Sequence, residues 1–161
     1  MAKVLVTGGS GYIGSHTLVS LIESGYDVVS IDNHVNSKPA AIEAVKELTG
    51  VQVQNYEVDL CDAVAVSLVF QEHNDIEAVI HFAALKAVGE SVEKPMLYFK
   101  NNMNSLMNVM DEVKKNNIQN FIFSSSCTVY GQATDLPVTE ETEMKDAESP
   151  YGRTKQLENI Y

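Results

Sequence analysis

Short apolar runs alternate with helix-like stretches along the whole chain. The runs are brief and rich in β-branched residues, which is typical of buried strands, whereas the stretches between them repeat apolar residues every three or four positions. The pattern predicts five strands, at residues 4–6, 27–32, 51–58, 78–82 and 121–123. It predicts helices at residues 12–24, 39–49, 63–72 and 96–117, and a last helix that opens at Ser149.

A regular alternation of strands and helices predicts an α/β fold. Parallel neighbours need crossover connections, and these are right-handed, so the pattern indicates a doubly wound parallel sheet with helices on both faces. The expected strand order is 3-2-1-4-5, the Rossmann arrangement, with ligands outside the carboxyl ends of the strands. Residues 90–95 are predicted to form an irregular approach to the long helix. The length suits one core, so residues 1–161 are predicted to form a single domain.

The charge of the chain argues against two classes of partner. The chain has 22 acidic and 11 basic residues, a formal net charge of −11, and its basic residues form no run. Such a surface repels polyanions, so neither nucleic acid nor an anionic membrane is an expected partner. The first strand starts too early for a signal peptide, and no apolar run is long enough to span a bilayer.

The cysteines and histidines indicate reduced thiols and no metal site. Cys61 and Cys127 are far apart in sequence, which favours free thiols in a cytoplasmic protein. The histidines, at positions 16, 34, 73 and 81, show no metal-ligand spacing with one another or with the cysteines. His16 is interpreted as a packing or surface residue, and His81 as a core residue of the fourth strand.

A glycine turn follows the first strand directly. The glycines fit two registers, Gly8-x-x-Gly11-x-x-Gly14 and Gly9-x-Gly11-x-x-Gly14. In either register a diphosphate can approach backbone amides that a Cβ would shield, and the helix dipole favours its negative charge. Gly14 lets the helix pack closely on its strand. Because a strand precedes the motif and a helix follows it, the motif predicts a dinucleotide site.

An acid at the end of the second strand strengthens this prediction. Asp32 is placed to accept hydrogen bonds from the adenosine ribose and to repel a 2′-phosphate, which favours NAD over NADP. In the loop that follows, Asn33, Asn36 and Ser37 either hydrogen-bond the cofactor or serve only as turn residues. Residues 59–60 end the third strand where an adenine edge would pass. The small residues from position 83 follow the fourth strand, where a cofactor can lie against the backbone.

A tyrosine and a lysine near the end of the chain carry the candidate chemistry. Tyr151 and Lys155 are four residues apart and therefore share a helix face, and Ser149 and Pro150 suit the cap and the first position of that helix. A phenol that acts as a base at neutral pH needs its pKa lowered by roughly three units, about 4 kcal/mol. The Lys155 ammonium, the helix dipole and an oxidised nicotinamide ring favour that shift. Ser126, after the fifth strand, is placed to hydrogen-bond the same substrate hydroxyl.

Tyr-x-x-x-Lys alone is more often an ordinary surface pair on a helix. The dinucleotide motif and the serine loop at the end of the fifth strand favour catalysis here. Taken together, the motifs of this chain resemble those of the extended short-chain dehydrogenase/reductase family, in particular its members that epimerise nucleotide sugars. The matching segments are T-G-G-S-G-Y-I-G (7–14), D-N with N-S (32–33 and 36–37), H-F-A-A-L-K-A-V-G-E-S (81–91), F-S-S-S-C-T-V-Y-G (123–131) and S-P-Y-G-R-T-K (149–155).

The resemblance implies an NAD-dependent isomerase that interconverts UDP-galactose and UDP-glucose by transient oxidation at sugar C4. Tyr151 is then the general base and acid at the 4-hydroxyl, with Ser126 and Lys155 as its catalytic partners. The substrate contacts that the resemblance implies are Lys86, Ser126 and Tyr151. The implied cofactor contacts are Gly8, Gly11, Tyr12, Ile13, Gly14, Asp32, Asn33, His34, Val35, Asn36, Ser37, Asp59, Leu60, Phe82, Ala83, Ala84, Leu85, Lys86, Asn101, Ser126, Tyr151 and Lys155.

The same resemblance bears on assembly and length. Met103, Met107 and Met110 form a second stripe on the long helix, which fits core packing or an oligomer face. Family members pair through this helix and the one after the catalytic tyrosine, which favours a homodimer of the full-length protein. Members are much longer than 161 residues, and their carboxyl-terminal half supplies most of the UDP-sugar pocket. The chain is therefore expected to be an NAD-binding amino-terminal part that binds NAD weakly or moderately and does not turn over alone.

Two departures and two alternative functions remain. Ala84 stands where the family usually has glycine, and Cys127 stands where alanine is common.

A 4,6-dehydratase needs a further acid and base, usually Asp-Glu after the serine or threonine of the fifth strand, but Ser126 is followed by Cys127 and Thr128. A non-catalytic NAD-binding module would keep its function without the Tyr151 hydroxyl. Acceptance of N-acetylated UDP-sugars depends on the carboxyl-terminal half.

Overall fold

The structure is a computed structural model and describes residues 1–134 and 136–160. Asp135 and Tyr161, which belong to the predicted domain, lie outside the described residues. The strands are β1 (Lys3–Thr7), β2 (Asp27–Ile31), β3 (Gln54–Tyr56), β4 (Ile76–His81) and β5 (Asn120–Phe123). The helices are α1 (Tyr12–Glu23), α2 (Ala40–Thr49), α3 (Ala63–Glu72), α4 (Val88–Glu93), α5 (Pro95–Lys115) and α6 (Pro150–Glu158), with a 3₁₀ helix at Cys127–Tyr130.

The five strands form one parallel sheet. Neighbours pair in the order β3-β2-β1-β4-β5, which confirms the predicted doubly wound Rossmann arrangement. At the centre, Leu5 of β1 is level with Val29 of β2 and Val79 of β4. The carboxyl ends of these strands therefore lie at one edge of the sheet, where the candidate ligand-binding loops begin.

Two apolar cores cover the two faces of the sheet, because alternate residues of each strand point to opposite sides. On one face, Leu5 and Val29 pack with residues of α3 and of the second half of α5, among them Phe70 and Val109. The other face buries Val4, Val6 and Val28 against Leu18 of α1, together with Ile42 and Val45 of α2. The helices thus occupy both faces, as predicted.

The described residues fall into two compact units. The first comprises Met1–Ala83 and Ser105–Ser124, and contains the sheet, α1 to α3 and the second half of α5. The second comprises Ala84–Asn104 and the described residues from Ser125 onward, with α4, the first half of α5, the 3₁₀ helix and α6. Within this second unit, α6 packs against α4 and the 3₁₀ helix.

Two predicted elements differ from the structure. The third strand is three residues long rather than eight, because it pairs only with β2, and the Val58 amide then bonds back to the Tyr56 carbonyl (2.9 Å). The expected irregular approach at residues 90–95 is wrong, since α4 occupies Val88–Glu93. Ser91 is fully buried there and donates to the Val88 carbonyl (2.6 Å). Across the described ranges, none of the helices combines the length and apolarity needed to cross a membrane.

Candidate active site

The glycine turn after β1 has no room for side chains at Gly8 and Gly14. Gly8 adopts the left-handed conformation (φ +71°), and a Cβ on it would lie 2.9 Å from the Ala83 amide nitrogen. A Cβ on Gly14 would overlap the Gly8 carbonyl oxygen. Only glycine satisfies both constraints, so the turn packs tightly between the ends of β1 and β4.

The start of α1 has backbone donors that no intrahelical bond uses. Gly11 caps this helix without a side chain, and the first turn carries no acidic residue. The amides of the first turn, at Tyr12, Ile13 and Gly14, precede the first intrahelical bond, from Ser15 to Gly11 (2.9 Å). Such donors and the positive end of the helix dipole form an anion site.

The Ser10 hydroxyl is a further unassigned donor in the turn. Its oxygen is buried and has no hydrogen-bond partner among the described residues. A buried hydroxyl is usually satisfied, so an unpaired one beside free helix amides fits a polar ligand such as a dinucleotide diphosphate. The residues of the turn therefore fit the group that the sequence motif predicts.

Asp32 ties the end of β2 to the glycine turn. Its Oδ2 accepts from the Ser10 amide (3.0 Å), and its Oδ1 accepts from the His34 amide (2.9 Å) and the Ser37 hydroxyl (2.7 Å). The side chain is only 9% exposed. A carboxylate accepts about four hydrogen bonds, so a ribose hydroxyl is most readily accommodated at Oδ2.

The loop after Asp32 is partly a turn and partly a set of groups directed at the carboxylate. Asn33 accepts from the Val35 amide (3.1 Å), which is the turn interpretation of this residue. Val35 and Asn36 are exposed, whereas His34 and Ser37 are half-buried and face Asp32.

The end of β4 also meets the turn after β1. The Phe82 amide donates to the Thr7 carbonyl (3.1 Å), and the Ala83 amide donates to Thr7 Oγ1 (3.3 Å). Thr7 Oγ1 is also 2.8 Å from His81 Nδ1, and the imidazole is buried. The interpretation of His81 as a core residue is confirmed, and the first unit brings Phe82 and Ala83 to the glycine turn.

Asp59 and Leu60 have structural contacts. Asp59 accepts from the Cys61 amide (2.8 Å), and Leu60 is buried in the core while its carbonyl accepts from Asn108 (2.8 Å). These hydrogen bonds and the burial of Leu60 stabilise the segment that leads into α3. The contact of Asp59 and Leu60 with adenine stays a prediction. At the start of α3, Asp62 accepts from the Val64 and Ala65 amides and caps the helix.

In the second unit, Tyr151 lies in the first turn of a capped helix. Ser149 accepts from the Gly152 amide (3.0 Å), and Pro150 is the first residue of α6, as the sequence predicts. Tyr151 is 9% exposed. Its phenol oxygen is hydrogen-bonded to Ser126, whose Oγ also accepts from Thr128 Oγ1 (2.9 Å). The Thr128 bond leaves the Ser126 proton free to be donated to the phenol oxygen.

Burial raises the pKa of Tyr151, whereas the Ser126 hydrogen bond lowers it. The charge of Glu158 and the thiol of Cys127 raise the pKa further. The sequence predicts instead that Lys155 lowers this pKa. The difference arises because burial is the largest influence on the phenol, and because the Lys155 ammonium is itself paired with Glu158, with 3.0 Å between Nζ and Oε2.

The Lys155–Glu158 pair is almost completely buried, with side-chain exposures of 4% and 1%. Burial lowers the pKa of Lys155 and raises that of Glu158, and each charge opposes the shift of the other. Sequence reasoning missed Glu158. The signal was present, because residues three apart on a helix are neighbours.

Asn102 is a second residue that sequence reasoning missed. It is fully buried on α5, accepts from the Leu85 amide (2.9 Å), and donates to the Leu85 carbonyl (3.0 Å) and to Thr154 Oγ1 (3.1 Å). The predicted Asn101 donates to Asn102 (3.1 Å). Asn102 thereby fixes the segment that follows Ala84 against α6.

A cavity of about 660 Å³ lies beside Ser126 within the second unit. Ser125, Cys127, Tyr130 and Glu140 also line it. This volume is typical of sites for small molecules. Lys86, the predicted substrate contact, is exposed in the same unit. Among the described residues, no group of three or more His, Cys, Asp or Glu side chains is arranged to hold a metal ion.

Comparison with known proteins places the chain in a family. The profile of the NAD dependent epimerase/dehydratase family matches residues 4–160. The chain belongs to this family. The resemblance that the motifs indicated is therefore confirmed.

Within the NAD dependent epimerase/dehydratase family, the chain is similar to proteins named UDP-glucose 4-epimerase. One from Schizosaccharomyces pombe is 52% identical over an alignment of 162 residues, which covers 98% of this chain and 45% of that protein. The crystal structure of UDP-glucose 4-epimerase from Bifidobacterium longum in complex with NAD⁺ and UDP has a TM-score of 0.96 and 48% identity, and covers 99% of this chain and 47% of its own.

A third relative is the UDP-Glc/GlcNAc 4-epimerase of Campylobacter jejuni, with a TM-score of 0.92 and 31% identity, covering 99% of this chain and 47% of its own. The chain thus spans less than half the length of these family members.

Proposed function

We propose that this chain is the NAD-binding and catalytic part of a UDP-glucose 4-epimerase. Such an enzyme interconverts UDP-galactose and UDP-glucose, with the rest of its length supplying most of the sugar pocket. The observation that carries the proposal is the hydrogen bond between Ser126 and the buried Tyr151, which lies on a capped helix that also bears Lys155. The identity to named epimerases supports the choice of substrate.

NAD is the proposed cofactor, and the first unit supplies its diphosphate and ribose contacts. The free amides of Tyr12, Ile13 and Gly14 hold the diphosphate, together with the Ser10 hydroxyl. Asp32 accepts from the adenosine ribose and disfavours a 2′-phosphate. When bound, NAD supplies reversible oxidation at sugar C4.

Tyr151 moves the proton of the reaction. Its phenolate removes the proton of the sugar 4-hydroxyl and later returns it to the same oxygen, so the net reaction is an isomerisation. Ser126 donates a hydrogen bond to the phenol oxygen and so stabilises the phenolate. Lys155 lies one turn away on the same helix, and we assign it a positive charge that favours the ionised phenol and that the buried Glu158 opposes.

The sugar is proposed to occupy the cavity beside Ser126. Its walls include hydroxyl groups of Ser125 and Tyr130, which suit a polyhydroxylated ring. Lys86 is exposed and positively charged, which suits the diphosphate of a UDP-sugar. The dehydratase alternative lacks support, because Cys127 and Thr128 follow Ser126 where an acid pair is needed.

Two further expectations belong to the same proposal. A homodimer is supported by exposed apolar side chains along α5, including Met96, Leu97 and Met107. A reducing compartment such as the cytoplasm is supported by Cys61 and Cys127, neither of which forms a disulfide.

Two measurements test the proposal. Native mass spectrometry of the chain incubated with NAD is expected to show one NAD per chain. Proton NMR is expected to show UDP-galactose and UDP-glucose interconverting when the protein that carries this sequence is added without further nucleotide. A chain that stays free of NAD would contradict the cofactor assignment. A protein that binds NAD but leaves UDP-galactose unchanged would contradict the substrate assignment.

A further inference from the structure

Side chains from three segments of the first unit form one continuous hydrogen-bonded chain that ends on Asp32. Ser30 Oγ is 2.6 Å from Asn55 Oδ1, and Asn55 Nδ2 is 3.3 Å from His34 Nε2. His34 Nδ1 is 3.2 Å from Ser37 Oγ, which in turn is 2.7 Å from Asp32 Oδ1. The segments are β2, β3 and the loop that follows β2, and the chain of bonds reaches the carboxylate proposed to bind the ribose.

The direction of every bond in this chain follows from the carboxylate. An ionised carboxylate only accepts, so the single proton of the Ser37 hydroxyl is directed at Asp32. His34 Nδ1 must then carry the proton that it shares with Ser37 Oγ. A neutral imidazole has one N–H, so Nε2 accepts from the Asn55 amide nitrogen. The Asn55 oxygen is left to accept from Ser30, and each donor meets an acceptor.

The backbone at His34 has an unusual conformation, which gives Asp32 a further hydrogen bond. Its φ is +58°, in the left-handed region, which few residues other than glycine adopt. This conformation directs the His34 amide at Asp32 Oδ1 (2.9 Å). The imidazole is only 14% exposed, so the ring is packed against its partners.

The other end of the chain of bonds lies beneath the glycine turn. Ser30 is fully buried on β2, and a Cβ on Gly9 would overlap its Oγ. Asp32 also accepts from the Ser10 amide in that turn (3.0 Å). These hydrogen bonds thus connect the glycine turn, the strand pair β2–β3 and the Asp32 carboxylate in one network.

We propose that His34 and Asn55 are positioning residues that hold the Asp32 carboxylate for an unphosphorylated ribose and so set the preference for NAD over NADP. The proposal rests on the NAD-binding function proposed above. It assigns His34 a role through Ser37 and Asp32 and brings in Asn55, which the sequence motifs do not include. Removing His34 frees Ser37 to rotate, and removing Asn55 takes away the group that faces His34 Nε2 and fixes the ring. In either case the carboxylate loses a fixed orientation.

The first test is the protonation site of His34. A long-range nitrogen–proton NMR spectrum of the chain without nucleotide distinguishes Nδ1–H from Nε2–H, and His34→Gly identifies the signal by its loss. The expected tautomer carries the proton on Nδ1. The Nε2–H tautomer would direct the Ser37 proton at the imidazole, remove a donor from Asp32, and overturn the proposal.

The second test compares affinities for NAD and NADP by calorimetry. Asn55→Leu removes the amide at similar size, and His34→Gly removes the ring while glycine tolerates the left-handed backbone. Each is expected to weaken NAD binding about tenfold, the effect of one well-formed hydrogen bond, and to leave NADP binding nearly unchanged. The NAD preference then falls about tenfold. The control is Gln54→Leu, an amide on the same strand that bonds Tyr56 and Glu72 instead.

The outcomes separate the two proposals. Equal weakening of both nucleotides in the variants would indicate a purely structural role and overturn the positioning proposal alone. A wild-type chain that binds neither nucleotide would contradict the proposed NAD function, and the positioning proposal would fall with it. A selective loss of NAD affinity in Asn55→Leu and His34→Gly, absent in Gln54→Leu, supports both.

Discussion

Lys155 and Glu158 form a buried ion pair on α6, with 3.0 Å between Nζ and Oε2. The pair lies on the helix that carries Tyr151, and the Glu158 charge raises the pKa of the Tyr151 phenol. Two buried charges are tolerated because each compensates the other. Glu158 therefore influences the ionisation of both side chains that the proposed chemistry needs.

Replacement of this carboxylate is expected to shift two pKa values. Glu158→Gln removes a negative charge, so the pKa of Tyr151 falls, and the pKa of Lys155 falls as well because its partner is lost. The free energy of unfolding is expected to drop by about 3 kcal/mol, as for other broken buried pairs. A ¹³C NMR titration of the tyrosine ring and urea unfolding measure these effects. Glu143→Gln, at an exposed position, is the control. An unchanged or raised Tyr151 pKa would contradict the assignment.

The glycine turn gives a second prediction. Gly14→Ala introduces a Cβ that overlaps the Gly8 carbonyl, so NAD binding is expected to be lost and stability reduced by a few kcal/mol. Gly89→Ala is the matched control, because it lies within α4 and a Cβ there meets nothing within 4 Å. That change is expected to leave NAD binding intact and to stabilise the helix by up to about 1 kcal/mol. Calorimetric titration with NAD and thermal unfolding distinguish the two variants. Normal NAD affinity in Gly14→Ala would remove the turn from the cofactor site.

The third prediction concerns the Asn102 side-chain amide, which is buried on α5. Asn102→Leu leaves the Leu85 amide and carbonyl without this partner, so the free energy of unfolding is expected to fall by about 2–4 kcal/mol. Asn104→Leu makes the same change at an exposed position of the same helix and is expected to have little effect. Chemical unfolding of both variants checks this. Equal stability in the two would show that the Asn102 bonds contribute little.

The fourth prediction concerns Tyr56 and the pH dependence of the free energy of unfolding. Burial, with a hydrogen bond to Glu72, raises the pKa of Tyr56 from 10.0 to about 12. Because the folded-state pKa is the higher one, the neutral phenol stabilises the fold below pH 10, and this contribution is lost as the pH rises towards 12. Urea unfolding between pH 9 and pH 12 is expected to show a steeper decline for the wild type than for Tyr56→Phe. Parallel declines would refute the shifted pKa.

Much of the fold follows from the sequence because local patterns determine it. The βα alternation predicts a parallel sheet, the dinucleotide motif favours the Rossmann strand order, and the caps at Asp62 and Ser149 follow from residue type and position. The short β3 does not follow, because its length depends on how many residues β2 offers for pairing. The helix α4 was missed because a glycine and a following proline mark its segment, while the burial that stabilises Ser91 is not visible in the sequence.

Some residues of the candidate site can likewise be predicted from the sequence, and others cannot. Gly8, Asp32 and Tyr151 are recognisable from motif and spacing. Asn55 and Asn102 are not, because they act through partners that are distant along the chain and meet them only after folding. Glu158 was accessible from helix spacing, but its burial with Lys155 was not.

The most direct test of the account is turnover by the protein with Tyr151→Phe, followed by NMR of UDP-galactose, together with its NAD content by mass spectrometry. Tyr26→Phe, at an exposed tyrosine of the first unit, is the control. Tyr151→Phe is expected to retain NAD and to lose at least about 100-fold in turnover, because its general base is removed. A Tyr151→Phe variant that interconverts the two sugars at the rate of Tyr26→Phe would contradict the account.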